Sequence, residues 1–173
     1  MSGTSLDGLD ACLVQETLDG SRIEVIQSHA SAFSQAIQEG LARIIQTGQA
    51  SLPDLVRLEA EYTDVVIEQC LQLIQTSPGP ISVIGFHGQT LWHDPEVGST
   101  LQIGFAERLA EKTGVPVVHQ FRRGDMARGG QGAPPRRPGG LAAPLWPFLN
   151  ISTPALLGEE CTGESLLRVN YKL

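Results

Sequence analysis

Residues 81–95 read ISVIGFHGQTLWHDP, and this stretch decides the fold class. The opening ISVIG is nearly all apolar and too short for a helix, which is typical of a buried central strand. Polar residues follow it at once, and ligands of α/β proteins collect at the carboxyl ends of such strands. His87, Gln89 and Thr90 are therefore candidate binding residues, although a single histidine more often has a structural role. His93 is six residues from His87 with no third ligand nearby, which argues against zinc.

The surrounding sequence predicts alternating strands and helices. Short strand-like runs lie at 9–15, 22–29, 101–103 and 115–118, and apolar residues at helical spacing lie at 33–46, 55–74 and 105–112. Asp19-Gly20 is a hairpin signal between the first two runs, and Ser51 is a candidate N-cap of the second helix. Gly48, Pro78-Gly79-Pro80 and Thr113-Gly114 are stop signals for the three helices in turn. Strands that alternate with helices indicate an α/β layer.

The composition indicates which kinds of partner the protein can bind and in which cellular compartment it is expected. The chain has 173 residues, 41% of them hydrophobic, and a formal net charge of −7 at pH 7. An acidic protein repels nucleic-acid phosphates, so we expect no nucleic-acid partner. Three widely spaced cysteines argue against a disulfide scaffold or a structural zinc site. We expect no membrane-spanning segment and no signal peptide, and hence a cytoplasmic location.

The first ten residues, MSGTSLDGLD, look like a phosphate-binding loop. Two glycines allow a ligand close to the backbone N–H groups, and Thr4 and Ser5 add hydroxyl donors. Asp7 and Asp10 would repel a phosphate unless Mg²⁺ lay between them. The loop has no lysine, so it is not a P-loop. A polar turn that caps the next element is the alternative interpretation.

A third polar segment, HQFRRGDMARGGQGAP at 119–134, also follows an apolar run. Arg122 or Arg123 could hold a carboxylate or phosphate through a forked pair of hydrogen bonds. Asp125 could orient that arginine or accept a hydrogen bond from a sugar hydroxyl. A solvated basic loop is the alternative. The three segments together predict one pocket for a polar, phosphorylated ligand.

Taken in order, SGTSLDGLD, GFHGQTLWHDP, LQIG and TGVPVVHQFRRGDMARGGQGAP resemble the anhydro-N-acetylmuramic acid kinase family. The resemblance covers residues 1–134. It implies an α/β, RNase-H-like first lobe of the actin-like ATPase type, with a mixed sheet, flanking helices and the second lobe missing. It also implies ATP-dependent phosphorylation of 1,6-anhydro-N-acetylmuramic acid at O6, with water opening the anhydro ring. The products that it implies are N-acetylmuramic acid 6-phosphate and ADP, in a reaction expected to serve peptidoglycan recycling.

The resemblance also assigns roles to residues. The ATP-phosphate loop would comprise Gly3, Thr4, Ser5, Leu6, Asp7, Gly8, Leu9 and Asp10, with Asp7 and Asp10 near Mg²⁺. The substrate side would comprise His87, Gln89, Thr90, Arg122, Arg123 and Asp125, with one arginine facing the lactyl carboxylate. Phe86, Gln120 and Arg128 depart from the usual family residues, which puts fine substrate contacts in doubt. The family's catalytic aspartate lies beyond the matching region, so no catalytic residue is assigned.

The ends of the chain carry further expectations. In the family an apolar strand precedes the first loop, and Met1 matches a methionine inside that motif, so we expect the true start upstream. Residues 1–134 are expected to form the N-terminal lobe, and 135–173 a poorly ordered, out-of-frame tail rich in glycine and proline near its start. The chain would then be inactive alone, and a non-catalytic sugar- or phosphate-binding lobe is the alternative function. Family members are often homodimers.

Overall fold

The computed structural model describes Leu6 and residues 8–16, 23–132 and 164–170. The strands are β1 (Gly8–Glu16), β2 (Ile23–Ala32), β3 (Ile81–Phe86), β4 (Gln89–Asp94), β5 (Ser99–Ile103), β6 (Val117–His119) and β7 (Glu164–Asn170). The helices are α1 (Gln35–Thr47), α2 (Leu52–Gln75), α3 (Ala106–Thr113) and α4 (Phe121–Met126). The predicted α/β class and its mixed sheet are confirmed.

Five strands form the main sheet, in the order β2-β1-β7-β3-β6, and β4 pairs with β5 in a separate hairpin. β1 is antiparallel to both of its neighbours, β2 and β7. β3 is parallel to both of its neighbours, β7 and β6. The sheet therefore has an antiparallel half and a parallel half, and β7 belongs to both.

β2 is one outer strand of this sheet, and it is ten residues long. Most of its side chains are exposed, including apolar Val25 at 63% and Ile26 at 39%. The register with β1 shifts between Leu13 and Val14, which is a bulge that increases local twist. The predicted antiparallel pairing of these strands is confirmed, whereas the predicted Asp19-Gly20 turn lies outside the described residues.

The helices begin and end at the predicted signals, within a few residues. Ser34 caps α1 by accepting a hydrogen bond from the Ile37 amide, and Gly48 ends the helix. Gly114 ends α3 in the same way. α2 ends at Gln75, before the predicted stop at residues 78–80. In the part of the chain that the structure describes, no helix is both long and apolar enough to cross a lipid bilayer.

The hydrophobic core joins one face of β1 to the helices. Leu9, Ala11 and Leu13 alternate along β1 and are almost fully buried, as period-two spacing requires of one strand face. They belong to the same cluster as Tyr62 of α2, which is completely buried. The Tyr62 ring meets Phe33 edge-on at 5.8 Å between centroids and stacks on Phe86 at 6.4 Å. Because Phe86 ends β3, this aromatic cluster fixes the strand that leads into the candidate site.

Some elements differ from the sequence-based expectations. β4 and α4 occupy stretches predicted as polar loops, and β6 is shorter and more exposed than the buried strand predicted for 115–118. β7 lies in the predicted tail, where no regular element was expected. Its sequence, ESLLRVN, is a short apolar run without proline or glycine, and two open strand edges give it a place in the sheet. The remainder of the predicted tail, like the domain boundary at 134, is not described.

The N-cap of α2 gives a testable stability prediction. Ser51 Oγ accepts a hydrogen bond from the Asp54 amide at 3.2 Å and donates one to Asp54 Oδ2 at 2.7 Å. We expect Ser51→Ala to lower the free energy of unfolding by about 1 kcal/mol, because a helix amide loses its acceptor. Urea titration measures the change. Ser51→Thr, which keeps both the acceptor oxygen and the hydroxyl donor, should stay close to the parent, and an equal loss in both variants would contradict the capping role.

Candidate functional site

The carboxyl ends of three strands and the start of a fourth meet at one edge of the main sheet. Phe86 at the end of β3 is in register with Val169 of β7 and with His119 of β6. On the other side of β7, Asn170 is in register with Asp10 near the start of β1. Adjacent strands lie roughly 4.8 Å apart, so β1 and β3 are separated by about 10 Å. β1 therefore begins at the same edge of the sheet at which β3 and β6 end.

An open cleft of about 80 Å³ lies at this edge. Its walls come from the ends of β3, β5 and β6 and the starts of α3 and α4. The lining residues are Phe86, His87, Gly88, Gln102, Ile103, Gly104, Glu107, His119, Gln120 and Arg123. Two of the predicted substrate residues, His87 and Arg123, thus line one cleft. The cleft also contains both signs of charge, since Glu107 and Arg123 share it.

His87 follows β3 and is held by its own loop. Its Nδ1 donates a hydrogen bond to the Gly88 carbonyl at 2.6 Å, so in the neutral ring Nε2 is the acceptor atom. Gly88 has φ +69°, and a Cβ there would lie 2.6 Å from the Ile103 carbonyl oxygen, so only glycine fits. The pKa of His87 is lowered to about 4: burial is the main cause, the hydrogen bond to Gly88 opposes it, and the nearby Arg122 charge adds to the lowering.

This pKa predicts a pH-dependent stability. The unfolded imidazole titrates near 6.5, so between pH 6.5 and pH 4 the unfolded state binds more protons than the folded state. Because of His87, the free energy of unfolding should therefore decrease as the pH falls through this window, by up to about 3 kcal/mol at pH 4. Urea titrations of the parent and of His87→Gln at pH 7, 5.5 and 4 measure the difference. An identical slope in His87→Gln would contradict the assignment.

The two neighbouring arginines have different surroundings. Arg122 Nη1 donates to the Gly132 carbonyl at 3.0 Å, and Asp125 Oδ2 accepts from the Gly132 amide at 2.7 Å. Arg122 and Asp125 thus clamp the glycine-rich stretch after α4 through both peptide groups of Gly132. Burial lowers the pKa of Arg122 without neutralising it. Only Arg123 of the pair lines the cleft.

Gln89 and Thr90 lie on β4 and do not line the cleft. Gln89 is largely buried, and its Nε2 donates to the Thr90 carbonyl at 3.0 Å. Thr90 Oγ1 accepts a long hydrogen bond of 3.4 Å from Gln102 Nε2. Through Gln102, which does line the cleft, Thr90 contacts a cleft wall from behind. These two predicted residues therefore lie behind the cleft, next to the residues of β5 that line it.

The predicted phosphate loop is described only in part, because residues 1–5 and Asp7 lie outside the described residues. Leu6 has φ +44°, and the other described non-glycine residue with positive φ is Gln120 in the cleft. Such backbone strain clusters at functional sites. Leu9 is almost fully buried in the core, so it can offer a ligand only its backbone. Asp10 is partly exposed, and the described residues contain no group of three or more possible metal-ligating His, Cys, Asp or Glu side chains.

Two side chains of α2 fix the loop between β5 and α3. Glu59 Oε1 accepts a hydrogen bond from the Gly104 amide at 2.9 Å, and Thr63 Oγ1 accepts one from the Phe105 amide at 3.1 Å. Thr63 also donates to the Glu59 carbonyl at 2.6 Å. These contacts hold Gly104, a cleft residue, against the aromatic cluster of the core. The cleft wall is therefore built on the buried side of α2.

Sequence reasoning did not single out three polar residues of the cleft, namely Gln102, Glu107 and His119, and it noted Gln120 only as a departure from the family pattern. Gln102 and His119 lie inside stretches quoted for the family resemblance. A signal for Gln102 was available, because polar Gln102 interrupts an apolar strand beside a glycine. Glu107 had none, since an acidic residue in the first turn of a helix is ordinary.

Comparisons with known proteins agree on one family. A family model described as anhydro-N-acetylmuramic acid kinase matches residues 1–136. The chain is similar to proteins of that name from Pasteurella multocida (strain Pm70), 41% identical over 140 residues, and Haemophilus influenzae (strain Rd), 42% identical over 140 residues. Each match covers 78% of this chain and 36% of the relative. The relative from Pseudomonas putida is 39% identical over 137 residues, with 78% and 37% covered. The chain thus spans little more than a third of the length of these relatives.

Proposed function

The chain belongs to the anhydro-N-acetylmuramic acid kinase family, and on that premise we propose that it supplies the sugar-binding half of such a kinase. The reaction proposed for the whole protein transfers the terminal phosphoryl group of ATP to O6 of 1,6-anhydro-N-acetylmuramic acid. Water adds across the anhydro bond, which yields N-acetylmuramic acid 6-phosphate and ADP. The reaction belongs to peptidoglycan recycling. A cytoplasmic location and a homodimer of the whole protein stay predictions.

The observation that carries this proposal is the shared cleft of His87 and Arg123. The substrate is a sugar with a lactyl carboxylate, so its site needs a fixed cation beside neutral hydrogen-bonding groups. Arg123 supplies the cation and a forked pair of donors. His87 supplies an acceptor for a sugar hydroxyl, because its low pKa keeps the ring neutral at pH 7. Gln102 and Gln120 add amide groups at the same cleft.

The second arginine and its aspartate have a positioning role in this proposal. Arg122 and Asp125 are engaged with Gly132, and they hold the turn that follows α4. Arg123 is on the same short helix, so the clamp fixes the direction from which Arg123 enters the cleft. We therefore assign the lactyl carboxylate to Arg123 and not to Arg122. Thr90 supports the cleft through Gln102, and Gln89 supports it through its strand pairing with Ile103.

The nucleotide side of the proposal rests on the first loop. Residues 3–10 would offer backbone N–H groups and hydroxyls to the ATP phosphates, and Asp10 emerges at the same sheet edge as His87. Mg²⁺, held with help from Asp7 and Asp10, would screen phosphate charge when bound. The strained backbone at Leu6 supports a functional loop at this place. The mixed five-stranded sheet supports the RNase-H-like, actin-like lobe implied by the resemblance.

Calorimetry with the 173-residue chain tests the proposal. We expect 1,6-anhydro-N-acetylmuramic acid to bind at least about tenfold more tightly than 1,6-anhydro-N-acetylglucosamine, which lacks the lactyl carboxylate that Arg123 would hold. A coupled assay for ADP is run on the same samples with ATP and Mg²⁺. Selective binding without ADP release identifies a non-catalytic binding lobe, whereas both together identify a working kinase. Equal binding of the two sugars, or none of either, would contradict the proposed site.

A further inference from the structure

The gap between β1 and β3 is the second place where the structure points to a binding event. The two strands do not pair with each other, and β7 lies between them. We propose that this gap is a strand-acceptor site that binds the extended segment Glu164–Asn170 as a detachable strand. The inference is independent of the function proposed above, because it rests on sheet pairing alone.

The pairing shows how completely β7 fills the gap. β7 is antiparallel to β1 from Asp10↔Asn170 to Glu16↔Glu164, so every residue of the strand has a partner there. On its other side it is parallel to β3, from Ile81↔Ser165 to Phe86↔Val169. Within the described residues, β7 is the strand that connects the β1–β2 half of the main sheet to the β3–β6 half. Removing it leaves two open strand edges that face each other.

Those open edges would lie inside the core. Leu13 of β1 and Ile84 of β3 have side chains with 0% exposure, and Phe86 has 2%. Backbone N–H and C=O groups beside such residues cannot turn to bulk water, and unpaired buried backbone groups are costly. An empty gap therefore favours any segment that can supply a double ladder of hydrogen bonds. This is strand addition of the kind that recognises extended peptides.

The sequence of the segment matches the register. Leu167 is in register with Leu13 on one side and Ile84 on the other, and Val169 with Ala11 and Phe86. The segment thus has apolar residues at the two positions whose partners on both sides are buried. It has no proline, which would remove a ladder hydrogen bond, and no glycine. The acceptor site therefore selects an extended segment with apolar residues two positions apart.

The segment is detachable because its connection is long. Residues 133–163 separate it from Gly132, the last described residue before it. The entropic cost of closing a loop rises only slowly with length, and a long loop gives its end a modest effective concentration. The same sequence on a separate molecule can therefore compete for the gap. Filling the gap also fixes the distance between β1, which the first loop precedes, and β3, which His87 follows.

Cross-linking in the full chain tests the occupancy. Cys12 of β1 is in register with Arg168 of β7, and paired residues of antiparallel strands lie within disulfide distance. In a Cys161→Ser background we expect Arg168→Cys to form a disulfide with Cys12 on mild oxidation, seen by mass spectrometry of the peptides. Ser165→Cys, which is in register with Gln15, is the matched control and should not cross-link. Absence of the Cys12 cross-link in a folded Arg168→Cys chain overturns the proposal.

A peptide experiment tests the exchange. Leu167→Pro should prevent the chain's own segment from completing the ladder, and fluorescence anisotropy then measures binding of a labelled ESLLRVN peptide. We expect binding at least about tenfold tighter to Leu167→Pro than to the parent, and none of a peptide with proline at its fourth position. Leu173→Pro, outside β7, is the control and should behave as the parent. Equal peptide binding by all three chains overturns the proposal, and if Leu167→Pro does not fold, the cross-link decides.

Discussion

Replacing Gly104 by alanine is expected to lower the free energy of unfolding by about 3 kcal/mol or more. Gly104 has φ +130°, a conformation that residues with a Cβ rarely adopt, and such strain costs roughly 1–3 kcal/mol. An alanine Cβ would also meet the Phe86 ring, with one ring carbon at 2.8 Å, and the Tyr62 ring at 3.3 Å. Both rings are buried, so overpacking adds roughly another 1–3 kcal/mol.

Gly98→Ala separates the two contributions. Gly98 also has positive φ, at +67°, but no atom lies within 4 Å of a Cβ built there. Gly98→Ala should lower the free energy of unfolding by only about 1 kcal/mol, which is the cost of placing a Cβ on a left-handed residue that contacts nothing. Urea denaturation of both variants at pH 7 measures the two values, and circular dichroism checks that each is folded. If Gly104→Ala cost no more than Gly98→Ala, the aromatic cluster would not be packed behind the cleft as described.

Replacing Arg123 by alanine is expected to weaken binding of 1,6-anhydro-N-acetylmuramic acid by about 10- to 150-fold. This range corresponds to the loss of a hydrogen bond to a charged group. Binding of 1,6-anhydro-N-acetylglucosamine should change little, because that sugar has no carboxylate to lose a partner. Arg123 lines the cleft, and among the described residues its side chain has no hydrogen bond to the backbone, so the free energy of unfolding should be almost unchanged. Calorimetry and urea titration on the same preparation give both numbers.

Arg122→Ala is the matched control, since it removes the same side chain one residue earlier. Here the hydrogen bond to the Gly132 carbonyl is lost, so stability should fall by about 1 kcal/mol or more. Both sugars should then bind more weakly by a similar factor. The turn that supports the cleft becomes less rigid in this variant, but Arg123, the proposed partner of the carboxylate, is still present. A selective loss for the carboxylated sugar in Arg122→Ala, with none in Arg123→Ala, would exchange the roles of the two arginines.

Much of the fold followed from short-range patterns. The caps at Ser51, Gly48 and Gly114 and the apolar runs that became β1, β2 and β3 are local signals, and the structure confirms them. β4 was not predicted, because its own sequence is rich in polar residues. It forms a strand because it pairs with β5, and that pairing cannot be read from the sequence of β4 alone. The position of β7 could not be predicted either, since it depends on two open edges far away in the sequence.

The sequence indicates which segments lie at this edge of the sheet but not which side chains line the cleft, and the ligand-binding roles stay predictions. Parallel strands end at a common edge, so locating His87 and Arg123 after two apolar runs was enough to bring them together. The choice between Arg122 and Arg123 depends on the turn after α4, where one side chain reaches Gly132 and its neighbour lines the cleft. That turn is set by tertiary contacts, and adjacent identical residues carry no signal that distinguishes them.

The outer strand β2 has a consequence for how the protein behaves at high concentration. In the part of the chain that the structure describes, the ten residues of β2 form an outer edge of the sheet, and Glu24 is the only Asp, Glu, Lys or Arg on the strand. Exposed Val25 and Ile26 lie on it without a lysine or proline to block further pairing. Such an edge is where sheets of separate molecules join. Aggregation of the folded protein should therefore begin at β2. Val25→Lys is the substitution that should slow the loss of soluble protein during storage at high concentration.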